Sequence, residues 1–416
     1  MKKYNVKDIS LAEQGMKNIE FAEMQMKGLL KLRERFSKEK PLKAYKVGMA
    51  LHITKETAAL VRTIAAGGAE VAIASCNPLS TQDDVAAALA KEGFHVYGWK
   101  GENTKEYYEN INHVLDFQPQ LTIDDGADLV NEIHTKRTDL LKNIIGGSEE
   151  TTTGVIRLRA MEKDGALKYP IIAVNDSKTK HLMDNFIGTA QSTIDGILRA
   201  TNILIAGKNF VVSGYGNCGK GVAARAKGMG ASVIVSEVDP FKALQAFYDG
   251  FRVMPISKAS EIGDIFVTVT GDKNVISFDH MKKMRDGVIL ANSGHFNAEI
   301  ELDTLEKNAA KTKIRPSMDQ YNLNGKKLFV LGEGRLINLA AAEGHPSEIM
   351  ALSFMNQALA MEYIIKNKGK LQPKVYRLPE EIDNDIALVH LQSLGIEIDT
   401  LTAEQKKYLS SWQEGT

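Results

Sequence analysis

The chain has 416 residues, 44% of them apolar and 25% charged, with 52 Lys plus Arg set against 52 Asp plus Glu. That length accommodates two or three domains, and the balanced charge supplies no field for nucleic acid or an anionic membrane surface. Two cysteines, Cys76 and Cys218, are too few for a disulfide framework or a cysteine metal site, so no metal is expected. The N-terminus "MKKYNVKDISLAEQG" has no apolar leader, and no stretch approaches the ~18 apolar residues of a membrane span, so a soluble cytoplasmic protein is expected. "KLRERFSKEK", Lys31 to Lys40, mixes both signs and reads as a solvated helix face. From Lys46 strands and helices alternate: "KVGMALHI" and then "KETAALVRTIAAGG", "AEVAIAS" and then "TQDDVAAALAKEG", then the strands "FHVYGW" and "PQLTIDDGAD". The alternation predicts a mostly parallel sheet covered on both faces, with ligands beyond the carboxyl ends of its strands. His52, Cys76 and Asp125 each stand just past a predicted strand. "DNFIGTAQSTIDGILRATNILIAG" reads as a connecting helix and hinge. A second alternation follows, "NFVVSG", a helix through Met229, "ASVIVSE", a helix from Pro240, "DIFVTVTG" and "GVILANSG". Another helix is expected from Glu348 to Lys366, and the polar end of the chain reads as helical. The fold class is α/β, with two Rossmann-like doubly wound parallel-sheet halves and a small helical C-terminal segment.

Within the second half, "VVSGYGNCGKG" places Gly214, Gly216 and Gly219 in a G-x-G-x-x-G pattern between a strand and a helix. Gly214 suits the tight turn, Gly216 lets a pyrophosphate approach the backbone, and Gly219 lets helix pack on strand. The helix N-terminus adds unpaired amides and a positive dipole end. Glu237 lies roughly 20 residues on, where an acid accepts the ribose hydroxyls and repels a 2′-phosphate, so NAD is favoured over NADP. Cys218, inside the loop, reads as a small packed residue. In "LHITKET" a helix cap accounts for Thr54 and Glu56, with Thr57 in the first turn, but not for His52 at the same edge. Asp124, Asp125 and Asp128 of "DDGAD" suit a turn and cap as well as a site. "SEETTTG" sets Glu149 and Glu150 before Thr151, Thr152 and Thr153, a run suited to hydrogen bonding a polar ligand. Lys180 and Asp184 are four apart, either a surface ion pair or a pair that moves a proton; the spacing alone favours the surface pair.

These motifs in this order resemble the S-adenosyl-L-homocysteine hydrolase family over nearly the whole chain, from "GMALHITKET" through "SCNPLSTQDDVAAALA", "DDGADL", "SEETTTG", "NDSKTK", "GYGNCGKG", "GHFNAEI" and "EGRLINLA" to "GHPSEIM". The resemblance implies a nucleoside domain over residues 1–190, completed by 346–377, an NAD domain over 191–345, and an oligomerisation segment over 378–416. It implies reversible hydrolysis of S-adenosylhomocysteine to adenosine and homocysteine: resident NAD oxidises the ribose 3′ carbon, the 4′ proton becomes acidic, homocysteine is eliminated, water adds, and the ketone is reduced again. Carried over residue by residue, Lys180 and Asp184 stand by the 3′ hydroxyl. Asp125 serves the 4′ and 5′ carbons, with His52 and His295 moving protons at sulfur and water. Glu150 binds the ribose, and Thr54, Glu56, Thr57 and His345 surround the base. Thr151, Thr152, Thr153, Asn185, Glu237, Lys242, Asn292, Ser293, Gly294, His295, Asn338 and His345 resemble cofactor contacts, together with the loop Gly214, Gly216, Asn217, Cys218, Gly219, Lys220 and Gly221.

Three positions depart from the family pattern. Thr189 stands where a cysteine is familiar, Val269 replaces a hydroxyl, and the chain ends at "SWQEGT" where many members continue into a Lys- and Tyr-bearing tail that reaches a neighbour's NAD. Tight inter-subunit cofactor capture is therefore not expected, although a homotetramer is. The partners expected are small molecules, with no nucleic acid and no membrane. S-inosyl-L-homocysteine is the alternative substrate; Glu56 favours adenine, whose N6 amino group it can accept, over hypoxanthine, whose O6 faces its charge. A catalytically silent NAD-binding regulator would be expected to lose some of the five residues His52, Asp125, Lys180, Asp184 and His295, all present. An ordinary dehydrogenase would leave the first-half motifs unexplained.

Overall fold

The computed structural model of the chain describes residues 2–413, and these form two eight-stranded sheets with helices on both faces of each. In the first sheet every pairing is parallel, and the strands lie in the order Tyr4–Asn5, His95–Tyr97, Glu70–Ala74, Lys46–Ala50, Leu121–Asp124, Gly146–Glu149, Ile171–Ala173 and Val375–Tyr376. Strand order reverses between Lys46–Ala50 and Leu121–Asp124, which opens a crevice at their carboxyl ends. His52 and Asp125 leave the sheet there. The central strands are short apolar runs buried along their length, as a sheet covered on both faces requires.

The second sheet runs Arg252–Val253, Ser232–Ser236, Asn209–Ser213, Ile265–Thr268, Val288–Asn292, Lys326–Leu331, Met318–Leu323 and Ala310–Arg315, parallel except for the last two antiparallel pairings. Its order reverses between Asn209–Ser213 and Ile265–Thr268, and the glycine loop leaves the first of these. Two apolar clusters flank each sheet. The α/β class and the two doubly wound halves are those expected. The hairpin strands from Ala310 to Leu331 were not expected from the sequence, nor were Gly146–Glu149, Ile171–Ala173 and Val375–Tyr376.

The chain passes from the first sheet to the second through one turn of α-helix, Lys178–Lys180, a π-helical stretch, His181–Gly188, and the helix Thr189–Thr201. That helix stops at Asn202, in the left-handed region at φ 54, so the expected connecting helix is shorter than its apolar pattern and residues 203–207 lead into the strand. The chain returns through Ile337–Ala340 into Ser347–Lys366, which lies in the first core. Within the C-terminal segment, Glu380–Ser393 packs Ile386 into that same core, whereas Ala403–Leu409 buries no residue. No helix of the described residues is long and apolar enough to cross a membrane.

Candidate active site

The carboxyl ends of both sheets open onto one cleft of about 1100 Å³. On the first-sheet side the chain leaves Lys46–Ala50 and turns at His52 into the helix Lys55–Ala66, where the Thr54 hydroxyl accepts the Thr57 amide at 3.4 Å and the Thr57 hydroxyl donates to the His52 carbonyl at 2.6 Å. The cap reading of Thr54 and Thr57 therefore holds, and it also fixes His52. His52 Nδ1 lies 2.7 Å from Ser80 Oγ and 3.2 Å from Cys76 Sγ, while Nε2 lies 3.4 Å from Asp125 Oδ2. The other Asp125 oxygen is 3.5 Å from His295 Nδ1, which arrives from the second half. Gly126 permits that approach: a Cβ there would sit 2.3 Å from His295 Nε2. Burial pushes His52 down to about 4 against the opposing pull of Asp125, so its ring is neutral near pH 7. His52, Cys76 and Asp125 each bring one potential ligand atom to within 4.8 Å of the others, a grouping that the cysteine count alone does not reveal. Of the other acids, Asp124 takes the turn-and-cap role, accepting the amides of Asp125 and Val130 at 2.9 Å. Asp128 pairs with Arg157 at 2.7 Å.

Lys180 and Asp184 are not on the surface: their side chains are 5% and 4% exposed, 3.3 Å apart. Lys180 Nζ also donates to Asn185 Oδ1 at 2.7 Å and lies 3.5 Å from Glu150 Oε1. The wider π turn brings residues four and five positions on round to the same ammonium. Burial alone would depress Lys180, but Asp184 and Glu150 outweigh it and hold the amine well above its ordinary value. Asp184, opposed by its own burial, is held well below the carboxylate range by Lys180 and His345. His345 Nδ1 is 3.1 Å from Asp184 Oδ1, and Ser353 Oγ donates to Oδ2 at 2.7 Å. Glu150 is pushed up to about 8, chiefly by burial, against the pull of Lys180.

The cleft's third wall is the glycine loop. Gly214 turns with φ 108, and a Cβ at Gly219 would sit 2.0 Å from the Gly214 carbonyl oxygen, so the helix Asn217–Gly228 starts hard against the loop. No side chain caps that helix, and a Cβ at Gly216 would meet nothing within 4 Å, leaving open room in front of its first amides. Glu237 is fixed by three amides, of Tyr215 at 2.7 Å, Val238 at 2.7 Å and Asp239 at 3.0 Å. Thr151, Thr152, Thr153, Asn185, Asn217, Cys218, Lys242, Ser293, Gly294, Asn338 and His345 all line the cleft. Three buried oxygens of residues that line it, Ser213 Oγ, Asn338 Oδ1 and Glu150 Oε1, have no hydrogen-bond partner among the described residues. An open cradle of helix amides, an acid at the end of the next strand and an orphaned carboxamide oxygen fit a dinucleotide.

Four expected contacts lie elsewhere. Asn292 is fully buried, accepting from Thr268 and the Gly294 amide and donating to the carbonyls of Gly294, Phe296 and Gly334, so it shapes the loop that carries His295. Gly219 and Gly221 are packing positions; a Cβ at Gly221 would sit 2.0 Å from the Phe186 carbonyl oxygen. Lys220 reaches over the Tyr215 ring. Cys218 lies 3.6 Å from Thr189 Oγ1, and burial pushes its thiol up, as a packed residue requires. Other residues of the site were missed. Gln357 donates to Glu150 at 2.5 Å, Ser347 to Glu56 at 2.6 Å, and Asn175 accepts from both Thr152 and Asn185. The available signal was Ser353, Asn356 and Gln357 on one face of an otherwise apolar helix, polar groups that need buried partners.

Two protein-family models match the chain: S-adenosyl-L-homocysteine hydrolase over residues 3–139, and the NAD binding domain of S-adenosyl-L-homocysteine hydrolase over 185–344. The S-inosyl-L-homocysteine hydrolase of Methanocaldococcus jannaschii is 60% identical, across 99% of this chain and 100% of that protein. The adenosylhomocysteinases of Sulfolobus acidocaldarius and Aquifex aeolicus are 59% and 58% identical, each across 99% of this chain and 100% of that protein.

Proposed function

The chain belongs to the S-adenosyl-L-homocysteine hydrolase family, and from that premise we propose that it reversibly hydrolyses S-adenosyl-L-homocysteine to adenosine and L-homocysteine. Its cofactor is NAD, which when bound supplies a reversible hydride acceptor for the ribose 3′ carbon. The observation that carries the reading is a single cleft in which the buried cluster of Lys180, Asp184 and Glu150 faces the trio of His52, Asp125 and His295, with a nucleotide loop as the third wall.

The Lys180 ammonium, held between Asp184 and Glu150, stabilises charge on the 3′ oxygen as its proton leaves. Asp125 stands between two imidazoles, so a proton released at the 4′ carbon can pass to the departing sulfur through His52 or His295 and return when water adds. The neutral His52 ring can take a proton at pH 7 where a protonated one cannot. Glu150 Oε1, which makes no hydrogen bond among the described residues and lies beside Lys180, takes a ribose hydroxyl. Thr54, Glu56, Thr57 and His345 border the base. The helix amides at Asn217 and Cys218, with Thr151 to Thr153, Asn185, Lys242, Ser293, Gly294 and Asn338, hold the dinucleotide, and Glu237 its ribose diol. The first half with residues 346–377 serves the nucleoside and 191–345 the cofactor. Assaying the purified protein for homocysteine thiol released from S-adenosyl-L-homocysteine tests the activity; no release with the protein folded and NAD-loaded contradicts it.

A second reading, S-inosyl-L-homocysteine as substrate, is favoured by the Methanocaldococcus jannaschii relative. Glu56 itself favours adenine. Side-by-side assays with the two thioethers decide between them. We also propose a cytoplasmic homotetramer, as the family resemblance implies. Sedimentation checks it.

A further inference from the structure

The position of Lys180 depends on a segment that does not hold itself. It sits on one turn of helix, Lys178–Lys180, whose N-cap residue Ser177 makes no capping bond through its side chain, and the chain continues into the π-helical stretch His181–Gly188. π turns are rare and need support from their surroundings, and the free amides of a first turn need an acceptor.

The acceptor comes from the far end of the chain. Asp383, buried on the helix Glu380–Ser393, accepts the Lys178 amide at 2.5 Å and the Thr179 amide at 3.1 Å, and the Thr179 hydroxyl donates to the same carboxylate. The Thr179 hydroxyl in turn accepts from Asn356 Nδ2 at 2.8 Å, and Lys178 Nζ pairs with Glu380. A buried carboxylate is costly unless its oxygens are satisfied, and here three donors from the one turn satisfy it. The negative charge also sits at the positive end of that turn.

We propose that Asp383 is a positioning residue for Lys180: it caps, from the C-terminal helix, the turn that carries the lysine, and so fixes where the ammonium meets Asp184, Glu150 and the ribose 3′ oxygen. The inference rests on the reading of Lys180 given above. It makes the C-terminal helix part of the catalytic apparatus without that helix touching substrate.

The test uses the NAD-loaded full chain as Asp383→Ala, Asp383→Asn, Lys180→Ala and the Lys180→Ala/Asp383→Ala double variant. Four quantities are measured: the rate of nicotinamide reduction after adenosine is added, adenosine affinity, NAD content, and acylation of Lys180 by an amine reagent, read by peptide mass spectrometry. Misplacing a catalytic group by about 1 Å can cost on the order of 10²-fold in rate. Asp383→Ala should therefore slow reduction by roughly that factor, with adenosine affinity and NAD content retained and Lys180 acylated faster. Asp383→Asn keeps one acceptor oxygen and should fall between, and it carries the comparison if the alanine variant does not fold. In the Lys180→Ala background the loss of Asp383 should cost nothing further in this rate, because the two act through one group. A wild-type rate and unchanged acylation in both single Asp383 variants overturn the capping role. Equal fractional losses with and without Lys180 overturn it too, because they mark a general structural defect. Normal reduction in Lys180→Ala alone overturns the reading of Lys180 and this inference with it.

Discussion

Removing the Lys180 side chain would leave the buried Asp184 carboxylate without its lysine counter-charge. Loss of a positioned proton-handling group typically costs on the order of 10²–10⁴ in rate, so Lys180→Ala should slow 3′ oxidation by that much; a surface pair would cost under about 1 kcal/mol of stability and no turnover. Stopped-flow absorbance of the reduced nicotinamide after mixing with adenosine checks it. Glu150 gives a pH prediction. Its folded value of about 8 lies above the 4.5 of the free side chain, so between those limits the folded state holds a proton that the unfolded state has lost. That contribution is present below about pH 4.5 and disappears as pH rises through 8. Denaturant unfolding of the apoprotein across this window should show Glu150→Gln losing less stability with rising pH than the wild type; parallel curves contradict the assignment. At this scale the sequence pointed to the proposed catalytic residues only through the resemblance. The spacing of Lys180 and Asp184 reads as a surface pair because it says nothing of burial, and Asn292 looks like a ligand because its loop-shaping bonds to Phe296 and Gly334 are tertiary.

Two elements meet edge to edge where the nucleotide helix Asn217–Gly228 crosses the π stretch His181–Gly188, and Gly221 makes the contact possible. Its Cβ would sit 2.0 Å from the Phe186 carbonyl oxygen, a backbone atom that cannot swing aside. Overpacking of this kind costs about 1–3 kcal/mol. Gly221→Ala should therefore lower thermal stability by that order and weaken NAD retention together, because the helix that cradles the dinucleotide must back away. Scanning calorimetry and the nucleotide content of the purified variant check both; a stable variant with full NAD content contradicts the close approach. The central strands were legible here because parallel strands buried on both faces read as short apolar runs. The hairpin from Ala310 to Leu331 was not, since its outer strand is exposed throughout and charged. Its one local signal is Asn324–Gly325, both at positive φ, between Met318–Leu323 and Lys326–Leu331. The π stretch left no such mark: "HLMDNFIG" has an ordinary helical composition, and a tertiary bond from Ser353 to Asp184 holds it, while Asn356 holds Thr179 in the turn before it.

The molecule as a whole brings two sheets' carboxyl ends together, so that Asp125 of the first half and His295 of the second lie 3.5 Å apart over the one cleft that we propose takes both the nucleoside and the dinucleotide. Such an enclosure keeps water away from a reactive ketone until elimination is complete. The two α/β halves were legible from the alternating pattern; the strand orders and their switch points were not. The approach of one half to the other was expected only through the resemblance, because locally it turns on Gly126, whose lack of a side chain matters only once His295 is placed against it. The central claim is that a resident cofactor and a nucleoside react within one chain's cleft before any carbon–sulfur bond is touched. The most direct measurement mixes the purified protein, with no NAD added, with adenosine alone in the absence of homocysteine, and follows absorbance of the bound nicotinamide. The account predicts reduction of the resident NAD, stoichiometric with occupied sites at most. Saturating adenosine binding to NAD-loaded protein with no reduction at all would contradict it.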